Sequence, residues 1–191
     1  MTMSLGTIQF GYSIGSWNTA NGPYRDHMKW NDKDANKYQT LAQSLTTAGS
    51  AIGALFSGPL MKIGRWKCIL LTNIFVIAGA GSTLVFNVSM LMIGRFLYGI
   101  ACGCYSVFCP KYISETAPVE VKGPAGALSQ ICITFGIFVP FLIGLIFGDN
   151  NSDSVNKTEV YLLFLIPIAL AALQIFLMIS VFPYDTPPML K

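Results

Sequence analysis

The chain has 191 residues, of which 53% are hydrophobic and only 11% charged, and its formal net charge is +3. Its mean hydropathy of +0.56 is above the usual range of soluble domains, so this composition excludes a soluble protein and indicates an integral membrane protein. Each apolar run is long enough for a helical span of roughly 20 residues, and too long for a barrel strand of about 10.

The predicted spans follow from the apolar runs and the polar segments between them. The first span, residues 5–20, is fairly polar, and the charged stretch 21–37 after it is predicted as a loop outside lipid. Further spans are predicted at 38–61, 68–86, 89–113, 123–148 and 160–182, separated by connections at 62–67, 114–122 and 149–159. The sequence therefore predicts an all-α membrane protein with one six-helix domain.

Basic residues in the short connections predict the orientation. Lys62, Arg65 and Lys67 crowd one connection without any acid, whereas the connection between helices 3 and 4 has no charge. We therefore expect the connections 62–67 and 114–122 and both termini to be cytoplasmic, and the loops 21–37 and 149–159 to be external. The membrane is expected to be the plasma membrane or an organelle membrane. The sequons at Asn150 and Asn156 agree with an external loop.

Small residues recur at four-residue spacing within the spans. The pairs are Gly11 and Gly15, Gly49 and Gly53, Gly99 and Gly103, and Gly144 and Gly148. Because helices in lipid gain little from the hydrophobic effect, such faces stabilise association by letting backbones approach closely. The pattern predicts a compact bundle and by itself indicates no function.

Two polar residues lie where lipid would penalise them. Arg95 costs roughly 3 kcal/mol or more if it faces lipid, so it is predicted to point inward. Gln130 shares a helix face with Ile133, Thr134 and Ile137, which resembles a wall for a neutral, hydroxyl-rich ligand. The alternative, that Gln130 only hydrogen-bonds a neighbouring helix, remains open on these residues alone.

The sequence favours neither an enzyme nor a metal protein. No nucleophile–base pair, phosphate-binding loop or metal cluster is evident. Cys102 and Cys109 share a helix face but have no acid or histidine near them in the sequence, so we interpret them as small packing residues. No cofactor, metal or nucleic-acid partner is expected.

Six segments, taken together in order and spacing, resemble a known family. They are "QFGYSIGSWNTANGP" (9–23), "AIGALFSGPLMKIGRWK" (51–67), "GRFLYGIACG" (94–103), "PKYISETAP" (110–118), "KGPAGALSQICITFGI" (122–137) and "FPYDTPPMLK" (182–191). They are similar to the amino-terminal six-helix half of sugar porters of the major facilitator superfamily, especially the facilitative glucose transporters. The resemblance implies a fold of two halves, each a 3+3 inverted repeat, with substrate at their interface.

The resemblance also implies roles for individual residues. Gln130 matches a glutamine that hydrogen-bonds sugar hydroxyls, and Arg95 matches the helix 4 arginine of the family. Ile133 and Ile137 match apolar positions beside the sugar, and Phe10 and Asn18 occupy first-helix positions near the pathway. Thr134, on the same helix face as Gln130, is included in the predicted site. A cytoplasmic charge cluster that latches the two halves together is matched by Arg65, Glu115 and Lys122, and Gly64 is included in this predicted latch.

Two departures from the family bear on mechanism. Ser13 stands where proton-coupled relatives carry an aspartate, and the predicted spans contain no Asp or Glu. The resemblance therefore implies facilitated diffusion. It also implies that Arg95 has no carboxylate partner and is paired with hydroxyls, carbonyls or water. The connection after helix 2 is one residue short and has Trp66 in place of a basic residue. Ile14 likewise replaces a hydroxyl of the glucose transporters.

The sequence given ends where helix 6 ends, so the expected sugar site has an open wall. We expect a second six-helix half, a homodimer or a larger membrane assembly to complete it. Two hypotheses follow: a hexose-type transporter that works by alternating access around Gln130, or a transport-inactive half-transporter that serves as a structural subunit of a membrane complex.

Overall fold

A computed structural model describes residues 2–28, 32–61, 64–116, 122–147 and 153–181. Within these ranges the chain forms six α-helices, which confirms the predicted all-α class. Their bounds are α1 Thr2–Met28, α2 Asp32–Leu60, α3 Arg65–Thr83, α4 Val88–Thr116, α5 Lys122–Phe147 and α6 Asp153–Val181.

The helices extend beyond the predicted spans, which corrects the predicted loops. Residues 21–28 and 32–37 of the charged stretch 21–37 are helical, and α6 begins within the predicted loop 149–159. A helix satisfies its own backbone hydrogen bonds in lipid and in water, so charge marks where lipid ends and not where a helix ends. Asn150 and the side chain of Asn156 lie outside the described part of the chain.

Four of the helices are long and apolar enough to cross a membrane, judged over the described residues. These segments are Trp66–Thr83, Val88–Tyr112, Lys122–Ile146 and Thr158–Ser180. The remaining helices, α1 and α2, carry more polar side chains, including the amides and hydroxyls described below.

The bundle is organised by two close helix pairs, α1 with α5 and α2 with α4. A side chain at Gly103 would collide with the Ser50 carbonyl of α2, and one at Gly11 would collide with the Ile133 carbonyl of α5. The predicted role of small residues in close packing is thereby confirmed at both crossings. Helix α3 packs on α4 and α6, and α6 packs on α1.

The connection between α2 and α3 turns at Gly64, whose φ of 125° is a conformation that residues with a side chain rarely adopt. The Cys68 amide donates to the Gly64 carbonyl (3.1 Å), and the Cys68 thiol donates to the Leu60 carbonyl (2.8 Å). Trp66 donates its indole N–H to the Met178 carbonyl of α6 (3.3 Å). This side-chain hydrogen bond therefore anchors the start of α3 to α6.

Candidate functional site

A cleft of about 350 Å³ opens between α1, α4 and α5, and we call it the Gln130 cleft. It is lined by Thr7 and Phe10 from α1, by Tyr105, Ser106 and Pro110 from α4, and by Lys122, Gly126, Ser129, Gln130 and Ile133 from α5. The structure thus brings together three of the residues predicted beside the substrate, Phe10, Gln130 and Ile133. The surface of this cleft is mainly apolar with a few polar groups, a pattern that suits a small neutral ligand.

Two other predicted residues of α5 stand next to this cleft. Thr134 is exposed and donates its hydroxyl to the Gln130 carbonyl (3.0 Å), so this hydroxyl is already used within the helix. Ile137 is half-buried, and its carbonyl approaches Gly15 of α1. Ile137 therefore helps to set the α1–α5 crossing that positions the cleft.

Tyr105, which the sequence did not single out, ties the wall of the Gln130 cleft to the rest of the bundle. Its hydroxyl lies 2.9 Å from Asn73 Oδ1 of α3 and 3.3 Å from Gln174 Oε1 of α6, and all three residues are buried. Asn73 also donates to the Ile69 carbonyl (3.0 Å). The sequence signal that could have predicted this network is the pair of amides, Asn73 and Gln174, in apolar helices, because such amides need hydrogen-bond partners inside the bundle.

Arg95 is buried, with 1% of its surface exposed, between α1 and α4. Its guanidinium lies over the ring of Trp17, with its central carbon 4.7 Å from the ring centroid. Of the predicted partners, hydroxyls, carbonyls or water, the described residues offer no hydroxyl or carbonyl to Nε and Nη1. Instead, the aromatic face supplies the electrostatic contact, because the π-system attracts a cation most strongly where water is excluded.

Ser13, which the resemblance compares with an aspartate of proton-coupled relatives, is buried. Its hydroxyl donates to the Phe10 carbonyl (3.0 Å) and accepts from the Cys102 thiol (2.9 Å). The Ser13 hydroxyl therefore has neutral hydrogen-bond partners.

No group of three or more His, Cys, Asp or Glu suited to a metal occurs in the described part of the chain.

Asn18, also predicted beside the pathway, lies in a different cleft, which we call the Asn18 cleft. This second space, of about 380 Å³, lies between α1 and α2. It is lined by Trp17, Asn18, Asn36, Gln39, Thr40, Gln43 and Ser44. The sequence alone could not show that Asn18 and Gln130 line different clefts, because the distance between the two side chains depends on how α1 crosses α5.

The predicted latch is described only in part. Gly64 forms the turn after α2, and Lys122 is exposed at the start of α5, where it lines the Gln130 cleft. The side chains of Arg65 and Glu115 lie outside the described part of the structure. The ionic latch therefore stays a prediction.

Glu159 is a buried carboxyl that the predicted spans missed by one residue. It is 3% exposed and lies within the candidate span Thr158–Ser180 of α6. Its Oε1 would be 3.7 Å from a side chain added at Gly144, which Thr19 of α1 also contacts. The expectation that no acidic residue lies in a span is therefore wrong.

A family described as "Sugar (and other) transporter" matches residues 1–187 of the chain. The chain is 29% identical to "Hexose transporter 1" of Toxoplasma gondii, over 98% of this chain and 36% of that protein. It is 32% identical to the "Major myo-inositol transporter IolT" of Bacillus subtilis (strain 168), over 92% of this chain and 37% of that protein. The chain thus spans less than half the length of these curated relatives.

Solved structures show the same fold. The proton:xylose symporter XylE of the major facilitator superfamily, bound to 6-bromo-6-deoxy-D-glucose, matches with a TM-score of 0.84 at 21% identity, over 99% of this chain and 45% of that chain. The inward-open xylose transporter XylE from E. coli matches with a TM-score of 0.82 at 20% identity, over 99% and 48% of the two chains. The similarity of both structures establishes the fold and nothing finer.

Proposed function

The chain belongs to the sugar (and other) transporter family of the major facilitator superfamily, and we propose that it acts as the amino-terminal six-helix half of a hexose-type transporter. In this proposal a second six-helix unit closes the open side of the Gln130 cleft, and sugar crosses by alternating access. The relatives named above are transporters, which agrees with a function other than catalysis.

The observation that carries the proposal is the chemistry of the Gln130 cleft. The Gln130 amide stands beside the apolar surfaces of Phe10 and Ile133. The Ser129 and Ser106 hydroxyls donate to the Ala125 and Gly103 carbonyls of their own helices, so they can serve a sugar only as acceptors. Each hydrogen bond between such a group and a sugar hydroxyl is worth about 1 kcal/mol net, and the apolar surfaces suit the C–H faces of a sugar ring. Lys122, which is exposed at the start of α5, is the one charged residue among the described residues of this lining, and the others are neutral.

The packing pattern supports a 3+3 inverted repeat. If α1, α2 and α3 correspond to α4, α5 and α6, the close pair α1–α5 corresponds to the close pair α4–α2. The contact of α1 with α6 corresponds likewise to that of α4 with α3. Both close pairs use glycines four residues apart, Gly11 and Gly15 on α1 and Gly99 and Gly103 on α4.

We assign all six helices as membrane spans in this proposal. The polar surfaces of α1 and α2 line the two clefts, and side chains that line a pathway need not be apolar. We propose that the connection 62–67, the segment 114–122 and both termini are cytoplasmic, a proposal that the basic residues of 62–67 support.

Facilitated diffusion remains the proposed mode because Ser13 and its partners in the α1–α4 cluster are neutral. Glu159 is the one acid that the structure adds to a candidate span among the described residues. A proton-coupled mechanism would need a group that changes charge in the membrane, and Glu159 is the residue to test for it.

The exposed apolar surface of α5 is compatible with a second unit. A stripe along this helix consists of Leu128, Ile131, Phe135, Phe138 and Leu145, each more than half exposed. Lipid or a second six-helix unit must cover this stripe. Glu115, Lys122 and Arg65 are proposed to latch the two units on the cytoplasmic side, where several weak ion pairs together shift a two-state equilibrium.

Uptake of D-glucose into proteoliposomes that contain the purified chain in its natural assembly tests the proposal. We expect saturable uptake of D-glucose that exceeds uptake of L-glucose, stops at equal concentrations and is weakened by Gln130→Ala. Uptake that does not distinguish the two enantiomers would contradict the proposal, and would instead favour the structural subunit of a membrane complex.

A further inference from the structure

The Asn18 cleft has a composition that solvation does not explain. Asn36, Gln39, Thr40, Gln43 and Ser44 recur at helical spacing, so they form one face of α2. A helix face that is merely solvated usually carries charges, yet none of the residues lining this cleft is charged. Lys37 and Asp34 are exposed on the same helix but do not line the cleft.

The groups available in this cleft match a neutral polyhydroxyl compound. Asn18, Asn36, Gln39 and Gln43 supply four carboxamides, each with two donors and an acceptor. Ser44 adds a hydroxyl, whereas the Thr40 hydroxyl already donates to the Asn36 carbonyl (2.8 Å). Trp17 also lines the cleft, and its indole N–H is buried and has no acceptor among the described residues.

The Asn18 cleft is aligned with the Gln130 cleft along one face of α1. Phe10, Ile14 and Asn18 are four residues apart, so their side chains share this face, and the ends of the row are about 12 Å apart along the helix. Phe10 lines the Gln130 cleft, Asn18 lines the Asn18 cleft, and Ile14 between them is 41% exposed. An apolar side chain thus separates two polar spaces on a continuous exposed surface.

We infer that the Asn18 cleft is a second binding subsite for a neutral sugar, which holds the ligand on one side of Ile14 while the Gln130 cleft holds it on the other. The inference rests on the proposed transport function and extends it. Gln39 and Gln43 of α2 are the main amide contacts of this subsite, and Trp17 reports on its occupancy because its ring forms part of the lining.

Fluorescence titration of the full chain in lipid nanodiscs tests the inference. D-glucose is the probe, L-glucose at equal concentration controls for solute effects, and the Trp17→Phe variant identifies the part of the signal that comes from Trp17. We expect a saturable, Trp17-dependent change with D-glucose. The double variant Gln39→Leu/Gln43→Leu should raise its apparent Kd by at least about tenfold, since two hydrogen-bonding amides are lost.

Two control variants separate this subsite from its surroundings. Thr47→Val changes an exposed hydroxyl one turn further along α2, which already donates to the Gln43 carbonyl (3.1 Å), and it should leave the apparent Kd within about twofold. Gln130→Leu should also leave the Trp17 signal within about twofold, because it changes the other cleft. Thermal melts of each variant show whether it has folded.

Several results would overturn the inference. These are a missing Trp17-dependent signal, an equal signal with L-glucose, or a signal that depends on Gln130 and not on Gln39 and Gln43. If uptake of D-glucose persists while the Trp17 signal is absent, the second subsite fails and the proposed transport stands. If the signal is present without stereoselective uptake, the subsite stands and the proposed transport fails.

Discussion

The Arg95 guanidinium lies against the ring of Trp17, 4.7 Å from its centroid, and both residues are 1% exposed. This pair joins α4 to α1. The described residues offer Nε and Nη1 no hydrogen bond, and the aromatic face contributes to the compensation of this buried charge.

Trp17→Leu should therefore destabilise the chain more than Arg95→Met does. The first change leaves a buried charge without its ring, whereas the second removes the charge together with the need to compensate it. In a double-mutant cycle, we expect a coupling free energy of about 1–2 kcal/mol between the two positions. Chemical unfolding of the four variants in detergent measures it, and a coupling within about 0.3 kcal/mol of zero would contradict the prediction.

Tyr105→Phe should lower the free energy of unfolding by about 1–3 kcal/mol, because buried oxygens of Asn73 and Gln174 lose the donor they share. Tyr161→Phe is the matched control. Tyr161 is 46% exposed, and its ring contact with Phe86 is retained in the variant. Equal effects of the two substitutions on the unfolding curve would show that the buried network contributes little.

Gly103→Ala should destabilise the bundle by about 1–3 kcal/mol, because the added methyl group collides with the Ser50 backbone at the α2–α4 crossing. Gly81→Ala serves as the control in α3, since a side chain there meets nothing within 4 Å. This second change should be neutral or stabilise by up to about 1 kcal/mol through helix propensity. Thermal unfolding of both variants measures the two effects. A Gly103→Ala variant as stable as Gly81→Ala would contradict the close approach of α2 and α4 at Gly103.

Gln130→Ala should weaken sugar binding in the Gln130 cleft by about 1–3 kcal/mol, because a sugar hydroxyl is left without its partner. Leu128→Ala is a control on the same helix, since Leu128 is 55% exposed and does not line the cleft. Concentration dependence of D-glucose uptake measures both variants. If half-saturation is unchanged in Gln130→Ala, Gln130 does not contact the sugar.

The sequence predicted the features that depend on one helix at a time. Apolar runs predicted six helices, the spacing of Gly99 and Gly103 predicted close packing, and the cost of a charge in lipid predicted the burial of Arg95. The cleft at Gln130 followed from one polar helix face together with the family resemblance.

Features that depend on how two or three helices are rotated against each other could not be predicted. Tyr105 meets Asn73 and Gln174 from two other helices, at separations of 32 and 69 residues along the chain. The contact of Arg95 with Trp17 likewise depends on the register of α4 against α1. Glu159 was missed because hydropathy places the end of a span only to within a few residues.

Glu159→Gln tests whether this buried carboxyl couples sugar movement to protons. Facilitated diffusion predicts that an imposed inward proton gradient does not drive D-glucose above its external concentration in proteoliposomes, either in the unchanged chain or in Glu159→Gln. The variant keeps the size of the side chain beside Thr19 and Gly144 while removing its ability to ionise. Accumulation in the unchanged chain that disappears in Glu159→Gln would identify Glu159 as a proton-carrying group, and would replace the uniport mechanism with symport. Accumulation that persists in Glu159→Gln would also reject uniport, but would assign the coupling group to another residue.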